Sequence, residues 1–170
     1  MPAGVLEMPE SDDIAAPIID RPFRFKRRPI AIAPDFRKDW KIALLLLILE
    51  LCSRGGKSSL KRLHVINWAV RSARHQREFE ETRREDSPLF AFKVRFEPAF
   101  SRAIEFAEAQ KLIAWVEGDR VQITELGRTY ARGITKSAGI LGEETAFLKR
   151  VGKSVTESEA TRLLTGARIA

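Results

Sequence analysis

The sequence predicts an α+β fold that is mostly helical and carries a small antiparallel sheet. Three observations lead to this prediction. Apolar residues recur at three- and four-residue steps in several segments after residue 35, which is the period of helices packed on a core. Two short apolar strands enclose the turn Glu117-Gly118-Asp119, which is typical of a β-hairpin. Six of the eight prolines lie within residues 1–34. A chain of 170 residues can bury one core, so we predict an extended arm over 1–34 and one domain over 35–170.

The proline-rich arm over residues 1–34 is predicted to be extended, because proline neither continues a helix nor donates to a strand ladder. Its apolar residues, among them Phe23 and Phe25, predict docking of residues 20–34 on a partner or on the protein's own sheet. The stretch Arg24–Arg28 mixes aromatic and basic residues, which is typical of an arm in the DNA minor groove and of a segment that binds an acidic protein groove. Both interpretations remain open, and Phe23 and Phe25 are candidate partner-binding residues.

Two helices are predicted at the start of the domain. Asp35 or Asp39 is expected to cap the first, over about residues 36–53, whose apolar centre indicates a buried, central helix. Arg54-Gly55-Gly56 ends it, and Ser58 or Ser59 caps the second. The second helix has a stripe that recurs at three- and four-residue steps and consists of Leu60, Leu63, Ile66, Asn67 and Val70. The residues expected on the opposite, polar face are Lys61, Arg62, Asn67 or Arg71.

The middle of the chain is predicted to alternate between helix and strand. Residues 74–84 are so polar that they indicate a third, exposed helix or an extension of the second, which Ser87-Pro88 ends. Residues 89–96 are interpreted as a strand. Pro98 stands at the first position of a helix that reaches Gln110 and carries an apolar stripe.

A β-hairpin over residues 112–116 and 120–124 follows. Trp115 and Ile123 lie at alternating positions of its strands, so both are predicted to be buried against the preceding helix. Thr124 begins another helix to about Gly133, and two amphipathic segments, 143–150 and 156–164, complete the chain. The three tryptophans are expected in the core, and Trp68 is also assigned to a partner interface.

The order of elements from Phe100 to Ala131 resembles that of the winged-helix fold. A helix ends at Gln110-Lys111-Leu112-Ile113, a two-stranded hairpin follows, and Ile123-Thr124-Glu125-Leu126-Gly127-Arg128 opens the next helix. Winged-helix proteins show this order, with the pattern LTxxGR after the wing. The resemblance implies a winged-helix-like fold, in which the hairpin covers the end of the preceding helix, and it implies little about function.

A second resemblance concerns three longer stretches, Leu60–Val70, Arg95–Ala103 and Phe147–Glu157. Together they resemble the small middle components of bacterial three-component ABC-ATPase systems, such as the anti-phage system Lamassu. This resemblance implies a cytoplasmic, non-catalytic subunit that binds an ATPase of the structural-maintenance-of-chromosomes (SMC) type, has a third, effector subunit as a further partner, and helps the complex engage DNA. The alternative is a stand-alone winged-helix transcription regulator, which binds two DNA half-sites as a symmetric dimer.

The net charge of +7 is unevenly distributed and predicts a DNA-binding surface. Residues 1–20 carry only acids, whereas residues 54–77 carry seven bases and no acid. Basic stretches of this kind bind nucleic acid by neutralising phosphates, although a solvated basic face explains the same pattern. The candidate nucleic-acid-binding residues are Lys57, Lys61, Arg62, Arg71, Arg74 and Arg77.

Several classes of function are disfavoured by the sequence. Gly55-Gly56-Lys57-Ser58 is similar to the end of a phosphate-binding loop, but Leu51 occupies the position where that loop needs glycine. The two histidines and one cysteine show no zinc-ligand spacing, and we find no catalytic constellation. The longest apolar run, Ile42–Leu49, is far shorter than a membrane span, and a single cysteine suits a reducing cytosol. The prediction is therefore a protein without catalytic site, metal, cofactor or membrane segment.

Overall fold

The computed structural model describes residues 37–85, 94, 96–137 and 139–165. In chain order the elements of these ranges are α1 (Lys38–Leu47), a π-helical turn (Ile48–Cys52), a 3-10 turn (Arg54–Gly56), β1 (Lys57–Ser59), α2 (Leu60–Val70), α3 (Ala73–Glu85), α4 (Pro98–Ala109), β2 (Ile113–Trp115), β3 (Arg120–Ile123), α5 (Glu125–Lys136), α6 (Gly142–Val151) and α7 (Glu157–Thr165). The proline-rich arm, with Phe23 and Phe25, lies outside the described residues.

Helix α1 and the π-helical turn form the centre of the core, as the all-round apolar pattern predicts. Every residue from Leu44 to Leu49 is at most 2 % exposed. Asp39 does not cap this helix as expected, because it lies inside the first turn. Arg37 occupies the N-cap position and makes no side-chain cap hydrogen bond. Asp35 lies outside the described residues. The chain then turns through Gly55 and Gly56, whose φ angles are +64° and +70°.

The sheet has three antiparallel strands in the order β1-β3-β2, and it includes the predicted hairpin. Strand β1 was not predicted, because three residues between a turn and a helix carry no readable alternation. Within the hairpin Ile123 is 3 % exposed, which confirms its burial, whereas Trp115 is 41 % exposed and its predicted burial is wrong. Trp115 is the last residue of the edge strand β2, so neighbours cover its ring incompletely.

Helix α2 is capped as predicted, since the Ser59 side chain accepts a hydrogen bond from the Arg62 backbone N–H. Helix α3 differs from the exposed helix that its polarity predicts. Its Phe79 is 1 % exposed, and the Phe79 and Phe147 rings meet edge to face with centroids 6.2 Å apart. Phe79 is thus the buried aromatic contact of a helix whose other residues, apart from Ala73, are polar or charged, and an ion pair between Glu80 and Arg150 also joins α3 to α6.

The fold class is confirmed as α+β, mostly helical with a small antiparallel sheet. Helix α5 continues to Lys136, so its predicted end at about Gly133 is wrong, whereas α6 and α7 match the two predicted C-terminal segments. The strand predicted over 89–96 lies largely outside the described residues, and Val94 and Phe96, which are described, are not in a strand. In the described ranges no helix has the length and apolar character needed to cross a membrane.

Candidate nucleic-acid interface

A cleft of about 290 Å³ opens where β1, β3, the start of α2 and the segment before α7 meet. Its lining combines positively charged side chains with one carboxylate, and consists of Arg54, Lys57, Arg62, Arg120, Lys153, Val155, Thr156 and Glu157. Five of these eight residues are cations. Arg54, Lys57 and Arg62 lie within nine residues of the chain, and folding brings Arg120 and Lys153 to them.

Arg62 forms the floor of the cleft. It is 5 % exposed, and its guanidinium donates from Nε to the Val155 carbonyl at 2.7 Å and from Nη1 to the hydroxyls of Ser53 and Ser58 at 3.2 Å. A further bond runs from Nη2 to the Cys52 carbonyl. All four acceptors are uncharged. Burial lowers the pKa of Arg62 from its ordinary value, and the nearby charge of Glu157 acts in the opposite direction.

Glu157, the carboxylate of the cleft, is held by Ser59. It accepts hydrogen bonds from the Ser59 hydroxyl and, at 3.3 Å, from the Ser59 backbone N–H. The same hydroxyl caps α2, so this contact joins the N-terminus of α2 to that of α7. The carboxylate therefore has a structural role and offsets only part of the positive charge.

The remaining cations surround the opening. Arg54, Arg120 and Lys153 are exposed and Lys57 is half-buried. Within the part of the chain that the structure describes, none of these four side chains forms an ion pair. Like charges gathered in a concave site create a positive potential that a bound anion relieves.

The predicted nucleic-acid-binding residues divide into two groups. Lys57 and Arg62 line the cleft, whereas Arg71, Arg74 and Arg77 do not, because they lie at the far end of α2 and on α3. All three are exposed, and Arg74 forms an ion pair with Glu78 at 2.7 Å. Lys61 is exposed on the first turn of α2. The predicted set therefore does not form one continuous face.

The expected polar face of α2 is wrong at Arg62, which is 5 % exposed. Asn67, which the pattern placed both on the stripe and on the polar face, is 1 % exposed and belongs to the stripe. Helix α2 contacts α1, α3, α6 and α7, so helices cover it on more than one side. The polar face was predicted on the assumption that only one side of α2 is buried, and a helix with neighbours on several sides does not meet that assumption.

Three cations of the cleft were missed by the sequence reasoning. Arg54 belongs to the acid-free stretch, so the sequence pattern could have identified it. Arg120 is brought to the cleft by the pairing of β3 with β1, in which it stands opposite Ser59. Lys153 is brought there by the packing of α7 on α2. No local sequence signal indicates either of these two contacts.

Trp68, the third predicted partner-binding residue, is half-buried and packs against the core. Its ring meets the His75 ring edge to face, with centroids 4.9 Å apart. Its predicted role at an interface stays a prediction.

A buried polar cluster ties the start of α4 to α1 and α2. Lys41, 1 % exposed, lies 3.0 Å from the Glu97 carboxylate, and Asn67 Nδ2 donates to that carboxylate at 2.8 Å. The Glu97 backbone N–H donates to His64 Nδ1 at 3.4 Å, and the Phe96 and Phe100 rings flank the imidazole. His64 is 2 % exposed, so it has a structural role and does not face phosphates.

We expect His64 to make the protein less stable in mild acid. Burial lowers the pKa of His64 from 6.5 to about 4. The unfolded chain therefore binds the proton more tightly, and stability falls as the pH drops below 6.5. Between pH 7 and pH 5 the free energy of unfolding should decrease by about 2 kcal/mol. Urea unfolding at both pH values measures this, with His64→Gln as the control that retains His75. An equal decrease in the variant would contradict the assignment to His64.

The single thiol is unsuited to nucleophilic chemistry. Burial raises the pKa of Cys52 to about 12, and its Sγ donates to the Leu148 carbonyl at 3.4 Å. Within residues 37–85, 94, 96–137 and 139–165, no group of three or more histidine, cysteine or acidic side chains is placed to hold a metal ion. The turn before Lys57 follows a helix, whereas a phosphate-binding loop follows a strand.

Comparison of the chain with protein-family models, curated proteins and solved structures found no match.

Proposed function

We propose that this chain is a non-catalytic, cytoplasmic subunit of a bacterial anti-phage complex, where it binds an SMC-type ATPase and contacts the phosphate backbone of DNA. The observation that carries the DNA contact is the cleft, in which five cations face one carboxylate and the four around the opening form no ion pair with described residues. The ATPase and effector partners are implied by the sequence resemblance.

Phosphate contact suits the chemistry of the cleft better than base recognition does. One guanidinium group can donate two parallel hydrogen bonds to two oxygens of the same phosphate. A lysine adds a positive charge at the end of a flexible side chain. Recognition of a base edge needs a helix or ribbon that enters a groove, whereas the cleft is concave. The proposal therefore implies strong salt dependence and little sequence preference.

The surface that a winged-helix regulator uses is poorly suited to DNA in this chain. Helix α4 precedes the hairpin and thus occupies the position of a recognition helix. Its exposed side chains include Glu105 and Glu108, and the hairpin turn carries Glu117 and Asp119. These carboxylates repel phosphates. A subunit that contacts DNA through the cleft is therefore favoured over a stand-alone regulator that inserts α4.

Exposed apolar side chains support the subunit role. Leu126, Tyr130 and Ile140, on and just after α5, are 49 %, 57 % and 51 % exposed. Tyr130 and Ile140 also line a shallow groove with Ile134 and Gly133. Apolar surface of this kind is typical of proteins that bind other proteins.

The DNA contact is tested by reversing three charges of the cleft in the full chain. We expect Lys57→Glu, Arg120→Glu and Lys153→Glu together to lower the affinity for closed circular duplex about 100-fold and to reduce the slope of log affinity against log salt by about 3. The loss should be equal on two unrelated sequences. Fluorescence anisotropy or filter binding at several salt concentrations measures it.

The matched control reverses Arg71, Arg74 and Arg77, which changes the charge equally but outside the cleft. This variant should bind within about threefold of wild type. Unchanged binding by the cleft variant, or a larger loss in the control, would overturn the proposal.

The subunit part is tested by purifying the tagged chain from its native cells. An ATPase with Walker motifs should co-elute in a fixed ratio. A chain that elutes as a homodimer and shifts one specific duplex is instead the regulator.

A further inference from the structure

The five cations of the cleft line one concave site of about 290 Å³. Lys57 and Ser59 point to the same side of β1, and Ser59 pairs with Arg120 on β3. Lys57 and Arg120 are therefore diagonal neighbours on one face of the sheet, roughly 7–8 Å apart at Cβ. Arg54 and Lys153 reach the same cleft from the turn before β1 and the segment before α7.

This concentration of positive charge favours a ligand of high local charge. A bridging phosphate, which the cleft can also hold, brings only one negative charge to the site, because consecutive phosphates are spread along the backbone. A terminal phosphate carries a charge of about −1.5 to −2 and offers three acceptor oxygens at one point. Five formal positive charges against one negative within about 290 Å³ fit the second case.

Arg62 provides a fixed donor at the floor. Four hydrogen bonds hold its guanidinium in place, and a guanidinium has five N–H donors. The fifth donor, on Nη2, forms no hydrogen bond with the described residues, and Arg62 lines the cleft. A donor that is held rigidly before binding loses little entropy when the ligand arrives.

We propose that the cleft binds a terminal phosphate, that is, a phosphomonoester, at the end of a nucleic-acid strand. This inference rests on the proposed function, because it assigns the same cleft a preferred phosphate. A free mononucleotide carries the same chemical group, and the experiment separates the two sources.

The test compares two duplexes of identical sequence, one with 5′-phosphate and one with 5′-hydroxyl ends, bound to the full chain. We expect the phosphorylated duplex to bind about tenfold more tightly. The preference should disappear in the variant Lys57→Gln/Arg120→Gln. It should persist in Arg71→Gln/Arg74→Gln, which removes two exposed charges outside the cleft. Thermal unfolding establishes that each variant is folded.

Competition by deoxyadenosine 5′-monophosphate identifies the source. Displacement of the phosphorylated duplex only at a large molar excess supports a strand end. Displacement at equal molar concentration shows that the cleft is a mononucleotide site and overturns the assignment to a strand end.

The comparison of 5′-phosphate with 5′-hydroxyl ends and the binding of closed circular duplex test the two proposals separately. Equal binding of both duplexes, with circular duplex still dependent on the cleft, overturns this inference and leaves the proposed function intact. Circular duplex that binds without the cleft overturns the proposed function itself.

Discussion

Replacing Arg62 by methionine is expected to lower the free energy of unfolding by about 3 kcal/mol. Methionine preserves the buried aliphatic stem but removes every donor of the guanidinium. The carbonyls of Cys52 and Val155 then lose the bonds that Arg62 makes to them, and each buried acceptor left without a partner costs about 1–3 kcal/mol. Part of this cost is offset, because the buried positive charge is removed as well.

The control for this experiment is Lys61→Met, one residue earlier on the same helix. Lys61 is exposed, so its replacement should change stability by less than about 0.5 kcal/mol. Urea unfolding at pH 7 measures both variants. Equal stability of the two would mean that the Arg62 guanidinium is solvated, and the cleft would then lack its floor.

The helices, and the starts of α2 and α5, were predictable because local chemistry determines them. Ser59 and Thr124 cap α2 and α5 through the side-chain bonds that serine and threonine make at this position. The apolar centre of α1 predicted its burial, since a helix that is apolar on all sides has no face for water. Gly118, with a φ of +65°, supplies the hairpin turn that its position predicts.

The errors concern properties that depend on distant neighbours. The burial of Arg62 follows from its bond to Val155, 93 residues later in the chain. The exposure of Trp115 follows from its place at the end of an edge strand, which depends on strand order. Neither the helical period of α2 nor the alternation of β2 contains information about these neighbours, so a basic residue and a tryptophan were each assigned to the wrong environment.

The candidate site was predictable in part for the same reason. The acid-free stretch identified Lys57, because one linear segment holds several bases. Arg120 and Lys153 join it only through strand pairing and helix packing. A basic stretch therefore indicated the region of the site, whereas its shape and the convergence of its charges are tertiary properties.

Close packing requires glycine at position 127, in the first turn of α5. A Cβ at this position would lie 2.2 Å from the Leu112 carbonyl oxygen and 2.8 Å from a side-chain carbon of Ile123. The Leu112 carbonyl also accepts bonds from the Thr124 N–H and hydroxyl, so it is fixed in place. Gly127→Ala must therefore displace α5 from the hairpin, and we expect it to lower the free energy of unfolding by about 3 kcal/mol.

Gly133 provides the matched control within the same helix. A Cβ there would meet no atom within 4 Å, so Gly133→Ala should raise the free energy of unfolding by about 0.5–1 kcal/mol through better helix propensity. The two substitutions make the same chemical change and should have opposite effects, which chemical unfolding of both variants measures. If Gly127→Ala is also stabilising, α5 does not pack against Leu112 as described. The glycine of the Leu126-Gly127-Arg128 pattern would then be required neither for packing nor for the position of Arg128, which pairs with Glu50 at 2.7 Å.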